Sequence, residues 1–566
     1  MFQNVTGSIE NYLKALVGNA LENIAAARGK SLPEGFSAEI ERPKREGQGD
    51  RATSAAMQLA KSMAASPKDL AAEVVAALTK AAKAGGLVDK IEVAGPGFIN
   101  FFLSKKWLQN VIRGVLSAGE YGSSNTGAGR RVQVEFVSAN PTGPLHIGHG
   151  RGAAVGDVLA NLLSFTGWKA EREYYINDAG LQMEILGRST QARYFELQGR
   201  SELAPFPENG YKGDYIYGLA QDAIKREKDR FLFEALGKSL PWFKRFAGEA
   251  ILHGIRRDME DFGVRFDVWF SESSLYERNL VSEAMKHLKR RDYAFEADGA
   301  VWFKTSDFAD DQDRVLIRNS GVPTYFASDI AYHKEKFDRG FDRVIDIWGA
   351  DHHGYIPRMK AGVEAIGRKP EDLDILLIQF VNLVRDGVQV PMSTRSGQFV
   401  PLRDVLDEVG VDATRYFFLT RRSDSQLDFD LELAKRQSND NPVYYVQYAH
   451  ARICSVMREL RERGGNLPAA FDVSPSVFED EEARELTDCL AVFPGEMEIA
   501  SRDLAPHAIT TYASNLAGRF HAFYNANRIL GEAAPIEAGR LLLTEAARVV
   551  LARCLALLGV SAPERM

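Results

Sequence analysis

The segment from Arg131 to Phe165 most narrowly limits what this chain can fold into. Val132-Gln-Val-Glu-Phe-Val137 reads as a strand, and a turn dense in glycine and proline follows it. A helix then carries Ala154, Val155, Val158, Leu159 and Leu162 on one face. Trp168–Ile176 reads as a second strand, and further strand–helix units fall at Arg343–Trp348 and Asp374–Val384. Strands alternating with helices imply a parallel sheet, because a parallel return needs a crossover and the helix supplies it. Residues 130–430 are therefore expected to form a doubly wound, Rossmann-like parallel-sheet domain. Ligands of such sheets collect at the carboxyl edge of the strands.

At 566 residues the chain exceeds what one core fills, so a multidomain α/β protein is expected. Residues 1–115 read as an N-terminal α+β domain. It has helices at about 5–28, about 51–63 and Pro67–Ala84, a strand at Phe36–Glu41, and a strand–turn–strand over Lys90–Leu103. A helical insertion is expected near 185–270, and residues 431–566 read as a C-terminal helical bundle. No apolar run reaches the roughly 18 residues of a membrane span, and the start lacks the basic-then-apolar order of a signal peptide. The three cysteines, Cys454, Cys489 and Cys554, lack metal-ligand spacing, which predicts a cytoplasmic protein without zinc. The net charge of -7 argues against indiscriminate nucleic-acid binding but leaves room for local basic grooves.

The turn itself is Ala139-Asn-Pro-Thr-Gly-Pro-Leu-His-Ile-Gly-His-Gly-Arg-Gly152. Its glycines do not make a dinucleotide loop, because Gly148, Gly150 and Gly152 have the wrong spacing and sit too far past the strand. His146 and His149, three residues apart at a helix start, share one face and could donate to phosphate oxygens. The bland alternative is that they cap the helix or decorate the surface. A small-molecule nucleotidyltransferase and a non-enzymatic RNA-binding relative are the other readings of the same residues.

The motif His146-Ile-Gly-His149 resembles the signature of class I aminoacyl-tRNA synthetases. Far downstream, Val390-Pro-Met-Ser-Thr-Arg-Ser-Gly397 is similar to their second signature, and Trp348-Gly-Ala-Asp-His-His353 to their ribose-binding element. Over nearly the whole chain the sequence resembles arginyl-tRNA synthetases in particular. The matching stretches are Glu135-Phe-Val-Ser-Ala-Asn140, Phe270-Ser-Glu-Ser-Ser274, Tyr325-Phe-Ala-Ser-Asp329, Gly47-Gln-Gly-Asp50, Pro96-Gly-Phe-Ile-Asn100 and the ending Leu558–Met566.

The resemblance implies ATP-dependent activation of L-arginine, with Mg²⁺ carried by ATP, and transfer to the 3′-terminal adenosine of tRNA(Arg). It implies His146, His149 and Arg395 as catalytic residues, and Gly148, Gly349, Asp351, His352, Met392 and Ser393 at ATP. For arginine it implies Glu135, Ser138, Asn140, Glu272, Tyr325, Asp329 and His353. A guanidinium offers five donors and no acceptor, so carboxylates and a phenol suit it. Asn100 and Phe101, and in the bundle Tyr444, Tyr448 and Arg452, are the implied tRNA contacts, on a chain expected to be monomeric and free of membranes.

The second signature departs from the family pattern. Pro391 stands where a lysine is usual, Arg395 replaces the second lysine, and Gly143 occupies the position where some members carry a compensating lysine. Arg151 and Lys360 are the two candidates left open for the missing charge.

Overall fold

The computed structural model describes residues 9–43, 47–178, 180–308, 310–390, 399–468 and 471–566. In the N-terminal unit, helices Ile9–Ala27 and Pro67–Gly85 pack on an antiparallel sheet. Its strands are β1 (Arg51–Thr53), β2 (Val88–Ala94) and β3 (Phe98–Leu103), in the order β1-β3-β2. Two expectations are corrected here. Residues 51–53 pair with β3, and the helix after them covers only Ala55–Leu59. Phe36–Glu41 is no strand beyond a single bridge from Glu41 to Ala52. A three-residue strand buried at every position leaves no alternation to read. Arg51 is fully buried because its guanidinium pairs with Glu10 at 2.5 Å and, in the C-terminal bundle, with Asp488 at 2.9 Å.

The central sheet has five parallel strands. They are β4 (Arg131–Glu135), β5 (Lys169–Ile176), β6 (Val268–Ser271) and, after a small antiparallel sheet, β10 (Arg343–Gly349) and β11 (Leu373–Ile378). The small sheet consists of β7 (Ala294–Ala297), β8 (Ala300–Phe303) and β9 (Arg314–Ile317). The main order is β11-β10-β4-β5-β6, so the winding reverses between β4 and β10, and the crevice opens at the ends of those two strands. Helix Ile147–Phe165 lies on this sheet almost entirely buried. It approaches closely because Gly156 has no side chain: a Cβ there would come 2.2 Å from the Phe136 ring.

The apolar run Asp374–Val384 is not one strand. It breaks after β11, and the chain enters a second sheet of β12 (Val381–Arg385), β13 (Val388–Gln389) and β14 (Leu427–Asp430). Arg151 makes the break possible. Fully buried, it donates to the carbonyls of Gln379 and Ser425 at 2.8 Å each and to that of Arg422 at 2.8 Å. Between β5 and β6, helices Leu181–Leu197, Tyr215–Glu227 and Leu236–Asp261 form the inserted helical layer.

After β14 the chain is helical, with long helices Pro442–Glu462, Glu481–Arg502, His507–Ala526 and Ala534–Leu558. A buried ion pair locks this bundle to the sheet. Arg415 reaches Asp157 at 2.5 Å and donates to the carbonyls of Leu558 (2.9 Å) and Phe262 (3.0 Å). No helix among the described residues is long and apolar enough to cross a membrane.

Candidate active site

The two histidines sit on the first turn of helix Ile147–Phe165, at the end of β4. Nδ1 of His146 accepts the Gly148 N–H at 3.1 Å, and Nδ1 of His149 accepts the His146 N–H at 3.2 Å. The side chains thus close a reciprocal cap over otherwise unsatisfied helix donors. The rings stack with centroids 3.7 Å apart. An acceptor Nδ1 places the proton on Nε2, so each neutral ring keeps one N–H free to donate. Burial lowers the proton affinity of both; His149, also beside His146, falls to about 3. Capping and phosphate donation are therefore compatible uses of one pair. Gly148 packs against its own neighbour, since a Cβ there would stand 3.1 Å from the His146 ring.

The loop between β4 and this helix is strained and tied down. Val137 and Ser138 have φ of 67° and 40°, which a β-branched residue adopts only under constraint. Ser138 Oγ donates to Glu135 Oε1 at 2.8 Å and accepts the Tyr175 N–H at 3.1 Å. Tyr174 and Tyr215 donate to the carbonyls of Ala139 and Thr142, both at 2.8 Å. Asn140 Nδ2 donates to Gln182 Oε1 at 2.5 Å. Across the crevice, Gly349, Asp351, His352 and His353 lie exposed where β10 ends.

Just beyond β6 and on helix Tyr325–Asp338 lie two acidic side chains that interact, Glu272 and Asp329. Glu272 is buried, and its carboxyl is pushed up to about 7 by burial, Asp329 and Asp178, while a hydrogen bond from Tyr175 pulls it back. Asp329 is pushed up to about 6, again by burial first; Tyr355, whose hydroxyl donates to its Oδ2 at 2.6 Å, works the other way. Burial disfavours the charge on both carboxylates and Asp329 disfavours it further on Glu272, which a bound cation would relieve. Tyr325, 65% exposed, opens the helix that bears Asp329, and Tyr276 bonds Ser328 at 2.7 Å beside Asp329.

Glu135 faces inward, toward Lys336 at 2.5 Å, and is buried. Sequence reasoning did not single out Tyr175, Tyr355, His333, Lys336 or Asp346. Asp329, His333 and Lys336 recur at helical spacing on one face, and that polar stripe on a helix facing a sheet was the available signal.

Several expectations are corrected or fall elsewhere. Arg395, Met392, Ser393 and Pro391 lie outside the described residues. Neither Arg151 nor Lys360 can stand in for a missing site lysine. Arg151 is spent on the three carbonyls above. Lys360 Nζ donates to the carbonyls of Pro370 (2.5 Å) and Leu373, at the opposite end of β11. Asn100 and Phe101 are no surface for RNA, being 3% and 0% exposed in the middle strand of their sheet. The loop at Gly49 covers them, and a Cβ at this φ of +84° would come 2.7 Å from the Phe101 carbonyl.

In the bundle, Tyr444 and Tyr448 are half-buried and stack at 5.9 Å. Arg452 lies between the rings of Tyr448 (4.8 Å) and Tyr524 (4.7 Å). Among the described residues no group of three or more His, Cys, Asp or Glu side chains could hold a metal ion.

Comparison with known proteins places these features. The chain matches the model of the class I (R) tRNA synthetase catalytic domain over residues 111–428. It matches the arginyl tRNA synthetase N terminal domain over 11–103 and the DALR anticodon binding domain over 446–566. It is 50% identical to the arginine–tRNA ligase of Citrifermentans bemidjiense over 560 residues, covering 99% of this chain and 100% of that one. It is 49% identical to that of Desulforudis audaxviator, covering 100% of both. Among solved structures, a putative arginyl-tRNA synthetase from Campylobacter jejuni is 35% identical with a TM-score of 0.75, over 82% of this chain and 100% of that one. The Thermus thermophilus arginyl-tRNA synthetase shares the fold at 22% identity with a TM-score of 0.76, over 99% and 100%.

Proposed function

The chain belongs to the arginyl-tRNA synthetase family, as an arginine–tRNA ligase of class I that uses ATP, arginine and tRNA, and from that premise we propose how its residues divide the work. Glu272 and Asp329 take the guanidinium, with Tyr325 closing over it. The observation that carries this is the pair of carboxylates, Glu272 buried and Asp329 half-buried, both pushed up toward neutrality by desolvation, with Asp329 also raising Glu272. A bidentate, charge-assisted fork restores both charges. Lysine, a compact point charge, would satisfy only part of that geometry. Glu135, Ser138, Asn140 and His353 hold the amino and carboxylate end.

The arginine carboxylate attacks the α-phosphate of ATP, and pyrophosphate leaves. His146 and His149 donate from Nε2 to the phosphate oxygens as charge builds there, so catalysis is positioning plus electrostatic stabilisation. Gly148 lies against the adenine. Gly349, Asp351 and His352 lie at the nucleoside, and Met392, Ser393 and Arg395 at the phosphates. Mg²⁺ enters with ATP as part of the substrate complex. In the second step the terminal hydroxyl of tRNA displaces AMP from the adenylate.

Residues 1–115 and 431–566 serve as RNA-binding units around a catalytic unit of 130–430, in a cytoplasmic monomer. Tyr444, Tyr448 and Arg452 offer aromatic and guanidinium faces for unstacked bases of tRNA(Arg).

ATP–pyrophosphate exchange with each amino acid, with and without tRNA, tests the scheme. Arginine-only exchange that tRNA stimulates is expected. Comparable exchange with lysine would overturn the pocket assignment, and full exchange without tRNA would overturn tRNA dependence.

A further inference from the structure

Three adjacent strands of the central sheet place an acidic side chain at the same register. Asp346 on β10 lies beside Glu135 on β4, and Glu135 beside Glu173 on β5. All three are buried, at 1%, 8% and 0% exposure. Like charges on neighbouring strands repel, so the row stands only if something neutralises it.

Helix Tyr325–Asp338 crosses the row and supplies the partners. Lys336 Nζ lies 2.5 Å from Glu135 Oε2 and 2.8 Å from Asp346 Oδ1. Arg339, just past the helix, lies 2.6 Å from Glu173 Oε2, and the Tyr332 hydroxyl donates to Glu173 Oε1 at 2.5 Å.

His333 makes a further contact to the row. Its Nε2 stands 2.8 Å from Asp346 Oδ2, and its Nδ1 stands 2.8 Å from the backbone carbonyl oxygen of Asp329. A carbonyl has no proton to give. Asp346 has none either: burial alone would raise it, but the Lys336 ammonium 2.8 Å away is the largest influence holding it below the usual carboxylate range. With an acceptor at hydrogen-bond distance from each ring nitrogen, both nitrogens must carry a proton. Besides Asp346, the charged groups near the ring are Lys336 and the Asp329 carboxylate of its own helix; Glu135 lies beyond Asp346, and the Tyr332 ring packs edge-on at 5.8 Å.

We propose that His333 is a positioning residue for the arginine pocket, held as an imidazolium between Asp346 and the Asp329 carbonyl so that the Asp329 carboxylate keeps its aim and its charge. The inference rests on the assignment of Asp329 to the substrate guanidinium. The bond to the Asp329 carbonyl pins the helix turn that bears that carboxylate, and the nearby positive charge favours its ionised form.

The direct test is nitrogen NMR of the full-length protein labelled at histidine, with His333→Gln identifying the signal. Both ring nitrogens of His333 are expected to carry a proton at pH 7; a neutral ring there overturns the proposal. The kinetic test uses the same variant, whose amide still donates to Asp346 but carries no charge. Its KM for arginine is expected to rise about tenfold, with kcat for exchange and KM for ATP within about twofold of the parent. The acid limb of kcat/KM for arginine is expected to move to higher pH. An equal loss in kcat, or an unmoved acid limb in a variant with the parent's melting temperature, counts against it. Asp329→Asn tests the underlying assignment separately: if it leaves arginine KM unchanged, the pocket reading fails while the NMR result still stands on its own.

Discussion

The imidazoles of His146 and His149 stack at 3.7 Å with each Nδ1 bound to a backbone N–H of the same helix turn. That arrangement fixes the Nε2–H tautomer in both rings, and burial keeps both neutral at physiological pH. Alanine at either position is expected to lower kcat for exchange by about 10²–10³ and to cost roughly 1 kcal/mol of stability through the lost cap. Asparagine at 146 separates the two effects, because it caps a helix well but cannot place a donor where Nε2 lies. Its melting temperature is expected to match the parent while its rate does not. A normal rate in His146→Asn would reduce the motif to capping.

On the proposed assignment of Glu272 and Asp329 to the guanidinium, the acid limb of arginine activation belongs to these two carboxylates, since burial lowers the proton affinity of both histidines. Glu272 is raised to about 7 and Asp329 to about 6, so protons compete with the substrate guanidinium for the same site. Arginine affinity is expected to rise with pH through the window from about 6 to 7, and binding at pH 6.5 should release protons. Calorimetry in buffers of different ionisation enthalpy measures that release; none at pH 6.5 would remove the pocket from this role. The sign for stability is opposite. A carboxyl raised in the folded state holds its proton more tightly there than in the unfolded chain, where the value is about 4. Stability of the arginine-free protein is therefore expected to fall as pH rises from about 4 through 7, with saturating arginine reversing the loss.

The hydroxyl of Tyr355, just past β10, donates to Asp329 Oδ2 at 2.6 Å. Tyr355→Phe removes a bond to a charged group, which typically contributes about 1.5–3 kcal/mol. Arginine KM is expected to increase by roughly tenfold or more, and its acid limb to shift upward, because a hydrogen bond to the charged form was lost. Exchange kinetics across pH decide this. A KM that does not move would make Tyr355 a packing residue against Trp348 and Phe326.

The alternating strands and helices and the motif turn were legible because each follows a local rule of period or turn chemistry, whereas Glu272 and Asp329 were named only by the resemblance to a known family. What was illegible depended on contacts far apart in sequence. Nothing near Arg151 announces that it will hold the carbonyls of Gln379, Arg422 and Ser425, so it read as a candidate phosphate ligand. Phe101 was named as a tRNA contact by the family resemblance alone, and nothing local shows that the Gly47–Asp50 loop, about fifty residues away, covers it. The split of Asp374–Val384 was hidden because an apolar run continues across it. His333, Lys336 and Asp346 were missed for the same reason: the acidic row exists only once β10, β4 and β5 are aligned.

Arg415 ties the sheet to the C-terminal bundle through Asp157 and the Leu558 carbonyl, with no exposed surface of its own. Removing one partner of a buried pair typically costs about 3–5 kcal/mol, because the other charge is stranded. Arg172, which also reaches Asp157 at 2.9 Å, should soften the loss. Arg415→Met is thus expected to destabilise by about 2–4 kcal/mol in denaturant unfolding and to lower the unfolding midpoint of the catalytic unit and the bundle together. Separate transitions, with only one unit shifted, would show that the pair does not couple them.

Arg452 lies between the rings of Tyr448 and Tyr524 and donates to the Tyr448 hydroxyl at 3.1 Å, on the face that also carries Tyr444. If these groups receive unstacked tRNA bases, Tyr448→Ala should weaken tRNA binding by about 1–3 kcal/mol, the usual worth of one base–aromatic stack. Arg452→Lys keeps the charge but loses the planar face, so a stacking role predicts a loss close to that of Arg452→Ala. A purely electrostatic role predicts that lysine restores most of the affinity and the salt dependence with it. Neither change should alter arginine KM measured at saturating tRNA, because the groups lie on the bundle rather than at the sheet edge. Filter binding of tRNA(Arg) at several salt concentrations, beside exchange kinetics, distinguishes these outcomes, and unchanged tRNA affinity in Tyr448→Ala would return this aromatic face to the bundle's own packing.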